Sequence, residues 1–178
     1  MSITIEKATC ADAAEILQYL KQIGAETDNL TFGAEGLPFT IESEAAYISQ
    51  IENSCDAIML IAKENGKIVG DASLSRLPRR MKHRGDLGVS VLKKCWNRGI
   101  GSQLLLEIIN FAKENSFEVI DLQVEEDAFE TLNGYVISLL EKVPNDGEFE
   151  IIEKNGYQFE ILKVENRIIR QVRITKLA

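Results

Sequence analysis

The sequence predicts an α/β fold: a mixed sheet flanked by helices, completed by a late helix and an antiparallel strand meander. Three observations carry this expectation. Up to Val124 the apolar positions follow the order strand, helix, helix, strand, strand, strand, helix, strand. Asn65-Gly66, between two apolar runs, is the strongest short-range hairpin signal in the chain. Beyond Val124 a helical period gives way to three strand-like runs separated by turn residues.

Each element has its own signature. Ile3 and Ile5 alternate with polar residues as a short edge strand does. Thr9 with Asp12 three residues on has the form of a capping box, opening a helix whose apolar face is Ala13, Ile16, Leu17, Leu20 and Ile23. Thr27 to Phe39, with Gly33, Gly36 and Pro38, reads as a loop, and a second amphipathic helix follows with Ala45, Ile48 and Ile51 on one face. The hairpin "AIMLIAKENGKIVGDASL" leads through the basic connector "RLPRRMKHRG" to a strand with Leu87, Val89 and Val91 in alternation. A helix from about Gly101 to Asn115 carries Leu104, Leu105, Ile108, Ile109 and Ala112, and Ile120, Leu122 and Val124 form a strand expected to lie parallel to its predecessor. Leu132, Val136, Leu139, Leu140 and Val143 define the late helix, with Thr131 as its cap. The runs "EFEII", "YQFEILKV" and "IIRQVRITKL", divided at Asn155-Gly156 and Glu165-Asn166, form the meander.

With 178 residues, 45% of them hydrophobic, the chain buries one sizeable core. Twenty basic residues against 28 acidic ones leave a net charge of -8. That balance argues against nucleic acid as a partner and favours a cationic substrate. The N-terminal segment lacks the pattern of a secretory signal, and no apolar run reaches the ~18 residues of a membrane helix. Cys10, Cys55 and Cys95 are scattered and odd in number, as reduced thiols in a cytoplasm are, and none has a CxxC partner or nearby His to suggest a metal. The expectation is a cytoplasmic protein with no membrane partner and no metal.

Chemistry concentrates in "VSVLKKCWNRGIGSQLL", where a strand meets a helix through Arg98-Gly99-Ile100-Gly101-Ser102. Glycines in the first turn let a ligand approach the backbone closely, and the first N–H groups of a helix have no partners of their own. Such a turn receives an anion, pyrophosphate included. Alternatively the glycines only shape a tight turn. The spacing lacks the last glycine of GxGxxG and the Lys-Ser/Thr of a Walker loop, which excludes a dinucleotide fold and a P-loop nucleotidase.

With that motif and element order, residues 1–124 resemble the GCN5-related N-acetyltransferase (GNAT) family, whose acetyl-CoA motif is Q/R-x-x-G-x-G/A. Trp96 stands where the family has Gln or Arg, with both glycines in register. The resemblance implies acetyl-CoA as cosubstrate. The backbone of Val89, Ser90 and Val91 would pair with the pantetheine arm, while Asn97, Arg98, Gly99, Ile100, Gly101 and Ser102 would cradle the pyrophosphate, Arg98 adding a charge. The acceptor would be a small-molecule or protein amine.

Past Val124 the family usually continues N-x-x-A-x-x-L-Y-x-K-x-G-F. Here Ala128 replaces the Asn, Thr131 the Ala, and no G-F follows. Residues from about Glu126 to Leu177 instead resemble the later part of a CorC/HlyC transporter-associated domain, through "ETLNGYVISLLEKVPNDGEFEI" and "NGYQFEILKVENRIIRQVRITKL". The expected organisation is a chimera-like join in which residues 125–178 complete the acetyl-CoA-binding part, 1–124, as one composite domain. A homodimer with exchanged C-terminal elements is the other arrangement such a joint permits.

Tyr135 lies eleven residues beyond Val124, where the family's tyrosine would protonate the departing thiolate; it also reads as a packing residue of an amphipathic helix. His83, the single histidine, precedes the cofactor strand and is a candidate base. Asp71 and Asp86 are carboxylates near strand ends where an ammonium would sit, but a solvated surface position is the weightier reading of each. The basic cluster Arg76, Arg79, Arg80, Lys82 and Arg84 reads either as a contact for the 3'-phosphate of coenzyme A or as a solvated loop. Three functions follow: an N-acetyltransferase, a non-enzymatic chimera that binds coenzyme A without the full machinery, and a transporter-associated regulatory module.

Overall fold

A computed structural model of the chain describes residues 3–27, 30, 32–123, 136–137, 139–140, 142–154 and 156–177, with Gln123 described by its backbone alone. Among the described residues eight strands form one mixed sheet in the order β1-β2-β3-β4-β5-β8-β7-β6. They are β1 (Ile3–Lys7), β2 (Ala57–Glu64), β3 (Lys67–Arg76), β4 (Arg84–Val91), β5 (Val119–Gln123), β6 (Ile151–Lys154), β7 (Tyr157–Glu165) and β8 (Ile168–Lys176). The α-helices described over their whole length are α1 (Ala13–Glu26), α2 (Ile41–Ile51) and α3 (Ile100–Glu114). Neighbouring strands run antiparallel except β4 and β5, which are parallel because α3 carries the chain back across the sheet between them.

The Thr9–Asp12 relationship holds, though it opens a single 3-10 turn ahead of α1. The Asp12 carboxylate accepts from the Thr9 N–H at 2.9 Å and its hydroxyl at 2.7 Å. The stripe of α1 that reaches the core is Ala13, Ile16, Tyr19 and Ile23, with Leu17 and Leu20 only partly covered. Thr40 caps α2 through the Ser43 N–H at 3.2 Å. The β2–β3 turn has both Asn65 and Gly66 at positive φ, 51° and 77°, as a type I′ hairpin requires. The β7–β8 turn falls one residue later than its sequence suggests, at Asn166-Arg167, with φ of 54° and 61°.

α1 and α2 cover one face of β2 and β3, while α3 covers the other against β1 to β4. Leu104, Leu105 and Ile108 of α3 are buried together with Leu60, Ala72 and Leu74 of the sheet in one continuous core. Across the centre of the sheet β5 pairs with β8, Val119 opposite Thr175 through Gln123 opposite Gln171. The C-terminal strands are therefore continuous with the N-terminal ones. The Lys113 ammonium of α3 lies over the Tyr157 ring of β7 at 5.0 Å, a further tie between them. Of the late helix, Val136, Ile137, Leu139 and Leu140 are helical and Val136 is fully buried. Val143 is outside the helix and 43% exposed. Val124, Ala128, Leu132, Thr131 and Tyr135 lie outside the described residues.

Candidate active site

β4 and β5 part company. Their parallel pairing runs only from Arg84 opposite Val119 to Asp86 opposite Asp121. From Leu87 to Val91, β4 keeps its partner β3 while β5 stays with β8. The backbone of Val89, Ser90 and Val91 is thus left with an edge unpaired by β5, facing the gap between the strands. Beyond it the chain enters a turn in which Asn97 and Gly99 both have positive φ, 58° and 73°. Gly99 is the N-cap of α3, and a Cβ there would meet nothing within 4 Å. The helix's first bond runs from the Gln103 N–H to the Gly99 carbonyl at 3.1 Å. The N–H groups of Ile100, Gly101 and Ser102 therefore have no carbonyl partner within the helix.

The side chains around the turn have settled roles. The Trp96 indole N–H donates to the Val91 carbonyl at 2.7 Å, tying the turn to the end of β4. Arg98 donates to the Glu64 carboxylate at 3.1 and 2.5 Å, and this partner holds the Glu64 carboxyl below its usual range. The Arg98 charge is already paired with a carboxylate rather than waiting in the turn. Cys95 is buried beneath it with a free thiol.

The basic connector divides. Arg76 donates to Asp56 at 2.6 Å, to the Asn115 carbonyl at 2.6 Å and to the Lys82 carbonyl, and lies 3.8 Å from the Phe117 ring centre. Arg84 pairs with Asp121 at 2.8 Å, leaving Arg79, Arg80 and Lys82 exposed. His83 is exposed, and its carbonyl accepts from the N–H groups of Glu118 and Val119. All of these sit at the start of β4, seven residues, or about 23 Å in extended strand, from Val91 at the turn end.

On the α1–α2 face of the sheet the structure corrects one expectation. Asp71 is not a solvated surface carboxylate: it is half-buried, and lines a cavity of about 550 Å³ between α1, α2 and β3. The Ser90 hydroxyl, directly opposite in the β3–β4 register, donates to it. With that proton committed, the Tyr19 hydroxyl, 2.7 Å away, donates to Ser90 Oγ. Burial raises the Asp71 pKa to about 6, against the pull of the two hydroxyls. Burial, then the nearby Asp71 charge, pushes the Tyr19 hydroxyl well above its ordinary value. Asp86, by contrast, is exposed.

Much of the rest of the lining is apolar, with Ile16 and Leu20 from α1, Met59 from β2, and Phe32, Leu37 and Phe39 from the loop after α1, while Ser43 of α2 adds a hydroxyl. That loop is seated by Gly24, where a Cβ would stand 2.2 Å from the Gly33 carbonyl oxygen, so no larger residue permits the contact. Glu44 and Tyr47 of α2 close the cavity, Glu44 being only 4% exposed. Ser73 lines the cavity too, and its register partner Gly88 is exposed where β4 leaves β5. A Cβ on Gly88 would have only the Ser73 hydroxyl near it, at 3.4 Å, so the surface between cavity and strand gap is low and open. Sequence periodicity contained Tyr19 and Glu44, since Tyr19 falls between Ile16 and Ile23 on the buried stripe and Glu44 is one turn before Ile48. A polar residue on such a stripe was the available signal.

The central parallel strands thus diverge beside a helix N-terminus led by Gly99. The chain belongs to the GNAT acetyltransferases: the model of the Acetyltransferase (GNAT) family matches residues 17–135. The model of the Transporter associated domain, CorC_HlyC, matches residues 117–178, overlapping it. Among solved structures the chain is similar to an acetyltransferase of the GNAT family from Streptococcus pneumoniae, with 29% identity, TM-score 0.71, and 99% of this chain and 100% of that one covered. It shares its fold with the PaiA N-acetyltransferase from Thermoplasma acidophilum in complex with coenzyme A, at 15% identity, TM-score 0.62, and 99% coverage of each chain. It also shares it with a phosphinothricin acetyltransferase from Sinorhizobium meliloti in complex with acetyl-CoA, at 17% identity, TM-score 0.60, and 99% and 88% coverage. The curated proteins contain no match. Among the described residues no group of three or more His, Cys, Asp or Glu is placed to hold a metal, and no helix is long and apolar enough to cross a membrane.

Proposed function

We propose that this protein transfers the acetyl group of acetyl-CoA to an amine. The observation that carries the reading is the divergence of β4 from β5 beside the Gly99 turn. The residues present fit the cosubstrate: the backbone edge of Val89, Ser90 and Val91 suits an amide-bearing pantetheine arm, and the open first turn of α3 suits a pyrophosphate. Asn97, Arg98, Gly99, Ile100, Gly101 and Ser102 form the cradle in this reading, Arg98 contributing once it leaves Glu64. When bound, acetyl-CoA supplies an activated acyl group. The protein supplies position and proton transfer: a base for the incoming ammonium, a backbone N–H for the acyl oxygen, and an acid for the thiolate. Tyr135 is assigned the last role on its sequence position alone.

In the organisation that goes with this reading, residues 1–124 and 125–178 make one composite domain. The β5–β8 pairing and the full-length similarity to the Streptococcus pneumoniae enzyme support it over two separate lobes. We read it as a cytoplasmic protein, in keeping with its free cysteines.

The test is calorimetric titration of acetyl-CoA into the wild-type protein and into Gly101→Glu, which sets a competing charge in the turn. Micromolar binding lost in the variant is the expected result, and absence of binding by folded wild-type protein overturns the proposal. Binding without coenzyme A release over a broad amine panel would favour the non-enzymatic reading that Ala128 and Thr131 suggest.

A further inference from the structure

We propose that the cavity between α1, α2 and β3 takes a diamine with an apolar spacer, Glu44 pairing with one ammonium while Asp71 receives the proton of the other, reacting amine. This deepens the acetyl-transfer reading and rests on it.

Glu44 is the first ground. It lines the cavity, is only 4% exposed, and has no hydrogen-bond or ion-pair partner among the described residues. Its oxygens open onto the cavity, and a carboxylate set in an apolar wall with no protein partner is stabilised by a cation that arrives to meet it. Burial accordingly raises its pKa, which a bound cation would oppose.

The rest of the cavity fixes the class of that cation. Phe32, Phe39 and Tyr47 bring aromatic rings, which attract alkylammonium groups, to the cavity lining, and its apolar side chains accept a hydrocarbon spacer. Among the described lining residues there is no Lys, Arg or His. Lys63, on the same face of β2, is held by Glu6 and Asp12 at 2.7 Å each. An amino-acid carboxylate would therefore have no counter-ion here, whereas a second ammonium has Glu44. The groups facing Asp71 are Tyr19 of α1, Ser90 of β4, and Glu44 and Tyr47 of α2, with Glu26 adding its charge near Tyr19. Each is neutral or acidic. Gly88 and Ser73 lead from Asp71 to the gap between β4 and β5, so an amine held at Asp71 lies on the side where the acyl group would be presented.

The proton balance closes on these groups. The N–H bond of the ammonium breaks as an O–H bond forms on Asp71. The freed nitrogen then forms the C–N bond while the acyl C–S bond breaks, and the departing sulfur is protonated. The amide nitrogen sheds its extra proton, giving acetylated amine, coenzyme A thiol and one proton to solvent.

Cadaverine, a five-carbon diamine, and pentylamine, its singly charged counterpart, are the probes. Each is titrated without acetyl-CoA into the full chain and into Glu44→Gln. Wild type is expected to bind cadaverine about tenfold more tightly than pentylamine, and Glu44→Gln to reduce that preference to about twofold or less by weakening cadaverine alone. In turnover, Glu44→Gln raises KM for cadaverine at constant kcat, while Asp71→Asn lowers kcat for both amines. Circular dichroism checks that each variant is folded. Equal binding of the two probes to wild type, equal weakening of both by Glu44→Gln, or tighter binding of leucine than of either amine overturns the proposal. Because the amine titrations omit the cosubstrate, their failure is distinct from failure of acetyl-CoA to bind.

Discussion

The Ser90 hydroxyl donates to the Asp71 carboxylate across a register pair of β3 and β4, so a residue of the proposed cofactor strand directly tunes the acid of the amine cavity. Removing the donor in Ser90→Ala takes away a bond that favours the charged form, and the Asp71 pKa rises above its value of about 6. A hydrogen bond to a charged group is worth about 1.5–3 kcal/mol and one pKa unit is about 1.4 kcal/mol, so the acid limb of kcat/KM should move upward by about one pH unit or more. A pH–rate profile of wild type and variant measures it; an unmoved limb would show that Asp71 is not the base.

Asp71 should make the folded protein less stable at neutral pH. Its folded pKa, about 6, lies above the ordinary value of 3.8, so the fold binds a proton that the unfolded chain has released. Stability from this group is complete below about pH 4, declines as the pH climbs toward 6, and is level above that. Asp71→Asn, which keeps an acceptor for Ser90 without the charge, should stabilise the protein at pH 8 by on the order of 3 kcal/mol, with the gain vanishing below pH 4. Urea unfolding at several pH values tests the sign and the window.

Gly99 separates folding from binding. Its φ of 73° is strained for any residue with a Cβ, yet a Cβ there would touch nothing. Gly99→Ala should therefore cost roughly 1–2 kcal/mol of stability, the penalty of left-handed backbone alone. Its effect on acetyl-CoA affinity should be larger than a folding defect of that size explains, about tenfold or more at temperatures where the variant is fully folded. Denaturation and calorimetry on the same preparation make the comparison.

Arg76 is predicted to act on stability and not on turnover. It ties Asp56, the Lys82 and Asn115 carbonyls and the Phe117 ring together at the end of β3 remote from the turn. Arg76→Ala should cost about 2–4 kcal/mol through lost hydrogen bonds and the ring contact, and Arg76→Lys should recover less than half, since an ammonium lacks the planar fork. Thermal melts with a parallel kcat measurement distinguish this from a contact with coenzyme A.

Much of the architecture was legible because local signals agreed with global packing. Asn65-Gly66 specified its hairpin, the 104–112 period specified α3, and the spacing from Gly99 to Gly101 marked the turn that opens α3. Boundaries near the tail were less legible: Val143 continues the apolar period of its helix yet stands outside it, and Asn166-Arg167 carries the turn assigned to Glu165-Asn166. The amine cavity was hidden for a different reason. Asp71 alternates with apolar residues just as a solvent-facing strand position does, and only the placement of α1 and α2 over that face turns it inward. Ser90, Tyr19 and Asp71 are brought together from sequence separations of up to 71 residues, which no local pattern records.

β8 follows every other strand in sequence yet sits inside the sheet, with β5 on one flank and β7 on the other. During synthesis on the ribosome, the β5 edge must wait unpaired until residues 168–176 have cleared the exit tunnel. Until then a nascent chain with a finished N-terminal half presents an open strand edge, the kind of surface that recruits chaperones or stray neighbours. Slowing translation late in the message should therefore increase misassembly, while pauses before β5 should be harmless.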